Sequence, residues 1–179
     1  MELFTGEHLA LDLLNTATRD FDALEDPELW FQRQRGRLAP PSRGLGVADV
    51  AAVRALREHL GAAVDAVRHG RPVPPAAIHA LNHAARAAPS YPVLLPDLCL
   101  VTRRDGDDRT RLLAELGDAA LDLLADPRAG TIRGCEGPGC LMLFLSAHPG
   151  RRWCSPTLCG NRARVARHYQ RHRTSGPGR

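Results

Sequence analysis

Four cysteines near the C-terminal end constrain this chain more than any other feature. They form two pairs, Cys135 with Cys140 and Cys154 with Cys159, and 13 residues separate the pairs. Zinc takes four ligands in a tetrahedron, and a close pair on a tight turn supplies two of them from one direction. Two glycines and a proline in the first gap, and Pro156 in the second, allow such turns. The spacing predicts a Zn²⁺ site, and four thiolates close it to substrate, which indicates a structural role.

Two other fates are open to four such cysteines, namely free core thiols or two disulfides. The N-terminal residues lack the basic start, apolar stretch and cleavage site of a signal peptide. No window approaches the roughly 18 apolar residues that span a bilayer. We therefore expect a cytoplasmic protein that contacts no membrane and keeps its thiols reduced, which favours metal. Cys99 lies far from the cluster, and we expect it to be a small buried apolar residue.

Charge is distributed unevenly along the chain. Residues 1–150 carry 16 arginines against 20 acidic residues, a net charge of −4, whereas residues 151–179 carry 8 arginines and no acid. A slightly acidic body with a basic end is typical of a protein that touches an anionic polymer through that end. A solvated basic face without a partner is the alternative.

A predicted terminal helix divides these basic residues by direction. At about 100° per residue, Arg164, Arg167, His168 and Arg171 share one arc, and we expect this arc to face a partner. The opposite side holds the apolar residues Ala163, Val165, Ala166 and Tyr169. The candidate nucleic-acid contacts are Asn161, Arg162, Arg164, Arg167, His168, Arg171 and Arg173.

The predicted zinc site needs compensation for its charge. Four thiolates around Zn²⁺ carry a net charge of about −2, so positive side chains or amide donors should surround them. Arg151, Arg152 and Arg162 are the nearest candidates in sequence. We expect Arg162 to turn inward, toward the metal or the body of the protein.

Hydrophobic periodicity outlines the body of the chain. It predicts helices over Glu7–Phe21, from Asp26-Pro27 onward, and over Val47–His69, Ala76–Ala88 and Asp108–Ala125. The same reading predicts a loop over Leu38–Gly46 and two short strands within Val93–Arg104. A β-hairpin is predicted between Met142–Ser146 and Arg151–Cys154.

The C-terminal end resembles the CGNR zinc-finger family. The resemblance lies in Arg151-Arg152-Trp153-Cys154-Ser155 and in Cys159-Gly160-Asn161-Arg162. It implies a treble-clef-like finger whose ligands are the four paired cysteines. Pro156 stands where many members have Met and Arg164 where Lys is common, and neither change touches a ligand.

The front of the chain resembles the ABATE domain that accompanies this finger. The matching segments are Ala10-Leu11-Asp12-Leu13-Leu14-Asn15-Thr16, Leu56-Arg57 and Leu81-Asn82. Together the two resemblances imply a stress-linked bacterial transcription regulator. The predicted fold class is α+β: a helix-rich α/β domain with a small sheet over residues 1–128, then the finger and its basic helix over 129–174. Residues 175–179 are predicted to be a disordered tail.

The leading functional hypothesis is a transcription regulator that binds duplex DNA. Its N-terminal domain would sense an unknown small-molecule effector or form a homodimer. Asp12 and Asn15 are the candidate ligand residues, although such residues more often cap helices or form hydrogen bonds within the core. The alternatives are binding of RNA or the ribosome, and a zinc-stabilised protein-interaction module. We expect no enzyme activity, because the chain has neither a Gly-rich phosphate loop nor a nucleophile elbow.

Overall fold

The structure is a computed structural model, and it describes residues 6–17, 22–39 and 41–174, with side chains as far as residue 170. Its helices are α1 (Leu9–Leu14), α2 (Pro27–Arg33), α3 (Val47–Arg68), α4 (Pro75–Ala87), α5 (Asp108–Ala125) and α6 (Cys159–Thr174). Its strands are β1 (Ser90–Leu94), β2 (Leu100–Arg104), β3 (Ile132–Gly134) and β4 (Leu143–Leu145). Single 3₁₀ turns lie at Ala23–Glu25 and Ala129–Thr131. This helix-rich arrangement with small antiparallel sheets confirms the α+β prediction.

Three long helices and α1 enclose the main hydrophobic core. Leu60 of α3, Leu81 of α4 and Leu116 of α5 are fully buried in it. Helices α4 and α5 approach so closely that a Cβ added to Gly117 would lie 2.7 Å from the backbone nitrogen of Ala85. The predicted apolar spacing therefore corresponds to the buried faces of α3 and α5. In α4 it holds for Leu81 only, because Ile78 is 47% exposed.

Buried or capping carboxylates fix the helix starts. Asp26 accepts a hydrogen bond from the Leu29 amide at 3.3 Å and so caps α2, as the Asp-Pro pair predicts. Asp49, in the first turn of α3, accepts from the Gly46 amide at 2.9 Å. Arg109 of α5 donates to the same carboxylate at 2.5 Å, which ties α5 to the start of α3.

The predicted helix over Glu7–Phe21 is wrong in length, because α1 ends at Leu14. Polar side chains compete for the backbone at this point: the Thr16 hydroxyl donates to the Leu13 carbonyl at 2.6 Å. The side-chain amide of Asn15 bonds to Leu143 of β4. Ala17 then forms an isolated antiparallel bridge with Asp22, and residues 18–21 lie outside the described part of the chain.

The predicted hairpin between Met142–Ser146 and Arg151–Cys154 is also wrong. Strand β4 pairs instead with β3, in the register Ile132↔Leu145 to Gly134↔Leu143. Residues 151–154 form no strand because their backbone groups have other partners: the Cys154 amide donates to the Cys135 sulfur, and the Arg152 carbonyl accepts from Glu136.

A second hairpin projects between α4 and α5. Strands β1 and β2 pair antiparallel from Ser90↔Arg104 to Leu94↔Leu100. The prediction of two short strands in this region is thus confirmed. The hairpin exposes Leu94, Leu98 and Leu100 by 62%, 77% and 71%. Cys99 lies in its exposed turn, so the expectation of a buried Cys99 is wrong. Among the described residues, no helix has both the length and the apolar character needed to cross a bilayer.

Candidate metal centre and basic helix

The four paired cysteines come from four backbone segments that meet at one end of the molecule. Cys135 follows β3, Cys140 precedes β4, Cys154 lies in the loop after β4, and Cys159 is the first residue of α6. Pairing of β3 with β4 brings the first two together, and the Cys140 amide closes their turn by donating to the Gly137 carbonyl at 3.0 Å. The first residue of α6 is thus part of the cluster.

The sulfur positions fit a tetrahedral metal site. All four Sγ atoms lie within 4.8 Å of one another. The Sγ atoms of Cys140 and Cys154 are 3.8 Å apart, and those of Cys154 and Cys159 are 3.5 Å apart. With Zn–S bonds of about 2.3 Å, tetrahedral geometry places sulfurs roughly 3.8 Å from one another. The cluster therefore has the shape and the donor atoms of a thiolate zinc centre.

Backbone amides supply the hydrogen bonds that thiolates need. The amides of Gly137 and Cys154 donate to the Cys135 sulfur at 3.4 and 3.3 Å. Burial opposes ionisation of Cys135, but these amides hold the pKa of its thiol below the usual value. Burial raises the pKa of the Cys140 thiol to about 11, and burial with neighbouring sulfurs raises that of Cys154 further. A divalent cation would supply the charge that lets all four ionise together.

Gly137 lies where this turn leaves little room for a side chain. A Cβ at this position would lie 3.0 Å from the Cys159 Cβ and 3.2 Å from its sulfur. The finger has little other core: among its described residues, Met142 and Phe144 are the hydrophobic side chains buried beside the cysteines, and Trp153 packs against them. The cysteine cluster therefore takes the place that a hydrophobic core has elsewhere in the chain.

The three arginines predicted around the metal lie close to it but contact oxygens, not sulfurs. Arg151 donates to the Cys154 carbonyl at 2.9 Å and lies over the Phe144 ring, 4.3 Å from its centroid. Arg152 pairs with Glu136 at 2.5 Å. Arg162 donates weakly to the Pro138 carbonyl, at 3.5 Å, across the turn between the first two cysteines. Arg162 is exposed, so apart from this one long contact it does not turn inward.

Asn15 joins the N-terminal domain to the metal module. Its amide nitrogen donates to the Leu143 carbonyl at 2.9 Å, and its amide oxygen accepts from the Leu143 amide at 2.7 Å. Leu143, which forms both hydrogen bonds, lies in β4, three residues after Cys140. The amide side chain acts as one more peptide group along β4.

Glu7 makes a second connection, which the sequence reasoning missed. Its carboxylate pairs with Arg151 at 2.5 Å and accepts from the Leu145 amide at 3.2 Å. The buried carboxylate of Asp12 accepts from the Glu7 amide at 3.2 Å and pairs with Arg37 at 2.5 Å, which fixes the segment before α1. Asn15 and Asp12 thus use their polar atoms in protein hydrogen bonds, and an effector bound there stays a prediction. A lone acid just before an apolar run was the only sequence signal for Glu7.

Helix α6 is more exposed than its sequence pattern predicts. Ala163 and Ala166 are half-buried, but Val165 and Tyr169 are 54% and 66% exposed, so only half of the predicted apolar side packs. Arg164 donates to the Asn161 side-chain oxygen, and Arg167 to the Ala163 carbonyl at 3.3 Å. Asn161 and His168 are exposed too. The side chains of Arg171 and Arg173 lie outside the described residues.

Residues 7–127 match the family model of ABATE, whose description reads "Putative stress-induced transcription regulator". This match covers more than half of the chain. The chain belongs to the ABATE family. Residues 131–172 match the CGNR zinc finger, which contains all four cysteines and most of α6. Both resemblances noted in the sequence are thereby confirmed. A search of curated proteins found no match to this ABATE protein.

Proposed function

We propose that this ABATE protein is a cytoplasmic transcription regulator that holds zinc in its CGNR finger and binds duplex DNA through α6. One observation carries the proposal: within the described part of the chain, no acidic side chain pairs with Arg162, Arg164 or Arg167. The sequence has no acid after Glu136 that could neutralise them. Unpaired arginines on one exposed helix suit the phosphates of a nucleic acid.

Zinc would act structurally, through Cys135, Cys140, Cys154 and Cys159. Because Cys159 begins α6, a metal held by these sulfurs fixes where the helix starts and how it leaves the β3–β4 hairpin. Asn15 and Glu7 then orient the finger against the N-terminal domain. Only when the metal is bound would the basic surface of α6 keep one fixed orientation relative to the rest of the protein.

The salt dependence of binding tests the proposal. About four phosphate contacts give a slope near −4 in a plot of log K against log salt. We expect this slope for the zinc-loaded full chain on a mixed-sequence duplex, and loss of binding after chelation. Replacing Arg164 and Arg167 by Gln should reduce the slope by about two. Arg86→Gln, at an exposed position of α4, is the matched control and should leave the slope unchanged. A slope near zero for the unmodified protein contradicts the proposal.

RNA binding is the second candidate, and the exposure of Tyr169 favours it. Recognition of single strands relies on aromatic side chains that stack on bases. Trp153 is less suited, because it is half-buried against the start of α6, where a Cβ on Gly160 would lie 3.5 Å from its ring. Binding to duplex DNA and to single-stranded RNA, compared at one salt concentration, separates the two candidates. Tighter RNA binding that Tyr169→Ala abolishes would favour RNA.

The N-terminal domain would contribute a homodimer contact through the β1–β2 hairpin. Two isolated strands are marginally stable in water, and this hairpin leaves three leucines exposed. Asp97 is the only charged residue from Tyr91 to Thr102, so the exposed leucines form a surface with little charge, and Arg103 and Arg104 lie at the far end of β2. Pro92 lacks an amide hydrogen, which leaves β2 as the better edge for pairing. Light scattering should give a dimer mass for the wild type and a monomer mass for Leu100→Asp. A monomeric wild type contradicts this part of the proposal.

A further inference from the structure

Helix α6 has one side that packs against the finger. Cys159 and Gly160 are buried, and Ala163 and Ala166 are half-buried. At about 100° per residue, these four positions fall within an arc of roughly 120°. Small side chains on this side let the helix approach the cysteine cluster and Trp153. The packed side thereby determines which residues point away from the finger.

The side of α6 opposite this arc carries Asn161, Val165 and His168. Their spacing of four and three residues places them within an arc of roughly 60°. All three are exposed, and Val165 keeps 54% of its surface in contact with water. We call these three residues the outer face. It combines an amide, an apolar group and an imidazole.

Arginines border the outer face on both sides. By helical angle, Arg164 lies along one side of it and Arg162 along the other. Arg167 starts from the packed arc, between Ala163 and Gly160, and its side chain is exposed beyond Arg164. Asn161 accepts a hydrogen bond from Arg164, so the amide and the guanidinium are within reach of the same ligand. No acidic residue lies on α6. Positive charge therefore surrounds a centre that contains neither an arginine nor an acid.

This distribution matches the cross-section of the DNA major groove. The groove is about 12 Å wide, admits one α-helix, and has phosphates along both walls with base edges on its floor. An amide can pair with adenine, an aliphatic side chain can contact the thymine methyl group, and an imidazole can bond to a purine ring nitrogen. Arginines on both sides of the helix would meet the two phosphate rows.

We propose that Asn161, Val165 and His168 read base sequence in the major groove while Arg162, Arg164 and Arg167 hold the phosphates. This inference rests on the proposed DNA-binding function and names the part of the same surface that would give it sequence specificity. On binding, Arg164 would exchange its hydrogen bond with Asn161 for a phosphate, which frees the amide for a base. A second copy of α6 would cover the outer face less favourably than DNA, because the arginines of the two helices would repel one another.

Selection from a random duplex library tests the assignment. The zinc-loaded full chain should enrich a short sequence, and the ratio of dissociation constants for a scrambled and the enriched duplex then measures specificity. Asn161→Ala and Val165→Ala should each lower this ratio about tenfold, the effect of one good base contact. Arg164→Gln and Arg167→Gln are the matched controls on the same helix. They should weaken binding to both duplexes equally and leave the ratio unchanged.

The possible outcomes distinguish base recognition by the outer face from DNA binding as such. Enrichment of a sequence, with a ratio that falls only for the outer-face variants, supports the inference. Salt-dependent duplex binding without any enriched sequence overturns the inference and leaves the proposed function standing. An unchanged ratio for both outer-face variants also overturns it, provided that their zinc content and melting temperature equal those of the wild type. A lower oligomeric mass of Val165→Ala would overturn it in favour of a protein contact.

Discussion

The N-terminal domain and the terminal helix use arginine in opposite ways. In the domain, arginines pair with carboxylates that are partly or fully buried, as Arg57 does with Asp22 at 2.7 Å and Arg109 with Asp49 at 2.5 Å. On α6, Arg162, Arg164 and Arg167 contact only carbonyl or amide oxygens of the described chain. The same residue type therefore fixes structure in one region and leaves charge available for a partner in the other.

The two regions also differ in what holds them together. The N-terminal domain buries leucines, valines and alanines from four helices. The finger has Met142, Phe144 and a cluster of cysteines as its interior. A segment this short buries too little apolar surface to fold alone, so we expect a bound metal to supply its folding free energy. Each region should consequently respond to a different perturbation.

Loss of the metal is the largest expected effect. Cys154→Ser should abolish stoichiometric zinc and unfold residues 131–170, because a structural zinc site contributes on the order of 10 kcal/mol. Helices α3 to α5 should stay folded on their own core. Metal analysis and amide hydrogen exchange check both statements, and Cys99→Ser, in the exposed hairpin turn, is the control. Unfolding of both regions together would contradict the comparison.

Replacing a paired arginine should have the next largest effect. Arg57 is 13% exposed and donates to both Asp22 and Thr16, so Arg57→Gln should lower the free energy of unfolding by about 2 kcal/mol. The measurement is urea denaturation of the wild type and the variant at pH 7.

The same pair predicts a pH dependence. Hydrogen bonding to Arg57 lowers the pKa of Asp22 from 3.8 to about 2. The stabilising effect of this ion pair is therefore fully present above pH 4 and is lost as the pH falls through 2. The stability difference between wild type and Arg57→Gln should therefore shrink between pH 4 and pH 2. A difference that stays constant down to pH 2 would exclude this ion pair as its cause.

A smaller effect is expected at the contact between the two regions. Asn15→Ala removes two hydrogen bonds to Leu143 and should lower the free energy of unfolding by about 1–2 kcal/mol. Exchange of the Leu143 amide should become faster. Asn82→Ala is the control, because Asn82 is exposed and bonds only within its own helix, to Ile78. Equal effects of the two substitutions would show that Asn15 does not couple the regions.

The smallest effect on stability should come from the terminal helix. Arg164→Gln should change the free energy of unfolding by less than about 0.5 kcal/mol, since an exposed arginine without an ion pair contributes little to folding. Its effect should instead be seen in DNA binding. Thermal unfolding of this variant beside Arg57→Gln compares the two uses of arginine directly. A loss of stability as large as that of Arg57→Gln would remove the distinction.

The sequence by itself determined the long helices of the body and the membership of the four-cysteine cluster. Leucines and valines at three- and four-residue spacing predict α3 and α5 because helix periodicity is local, and paired cysteines are readable because each pair sits on its own short turn. The distinction between acidic body and basic end also follows directly from composition.

Only the tertiary structure decided which strand β4 joins, how α1 ends and which side of α6 packs. Pairing of β3 with β4 depends on contacts across the first cysteine turn, and Asn15 bonds to Leu143, 128 residues away. Val165 and Ala166 look equally apolar in sequence, yet one is exposed and the other half-buried. Local pattern fixes periodicity, whereas the direction that a short helix presents depends on the surface against which it folds.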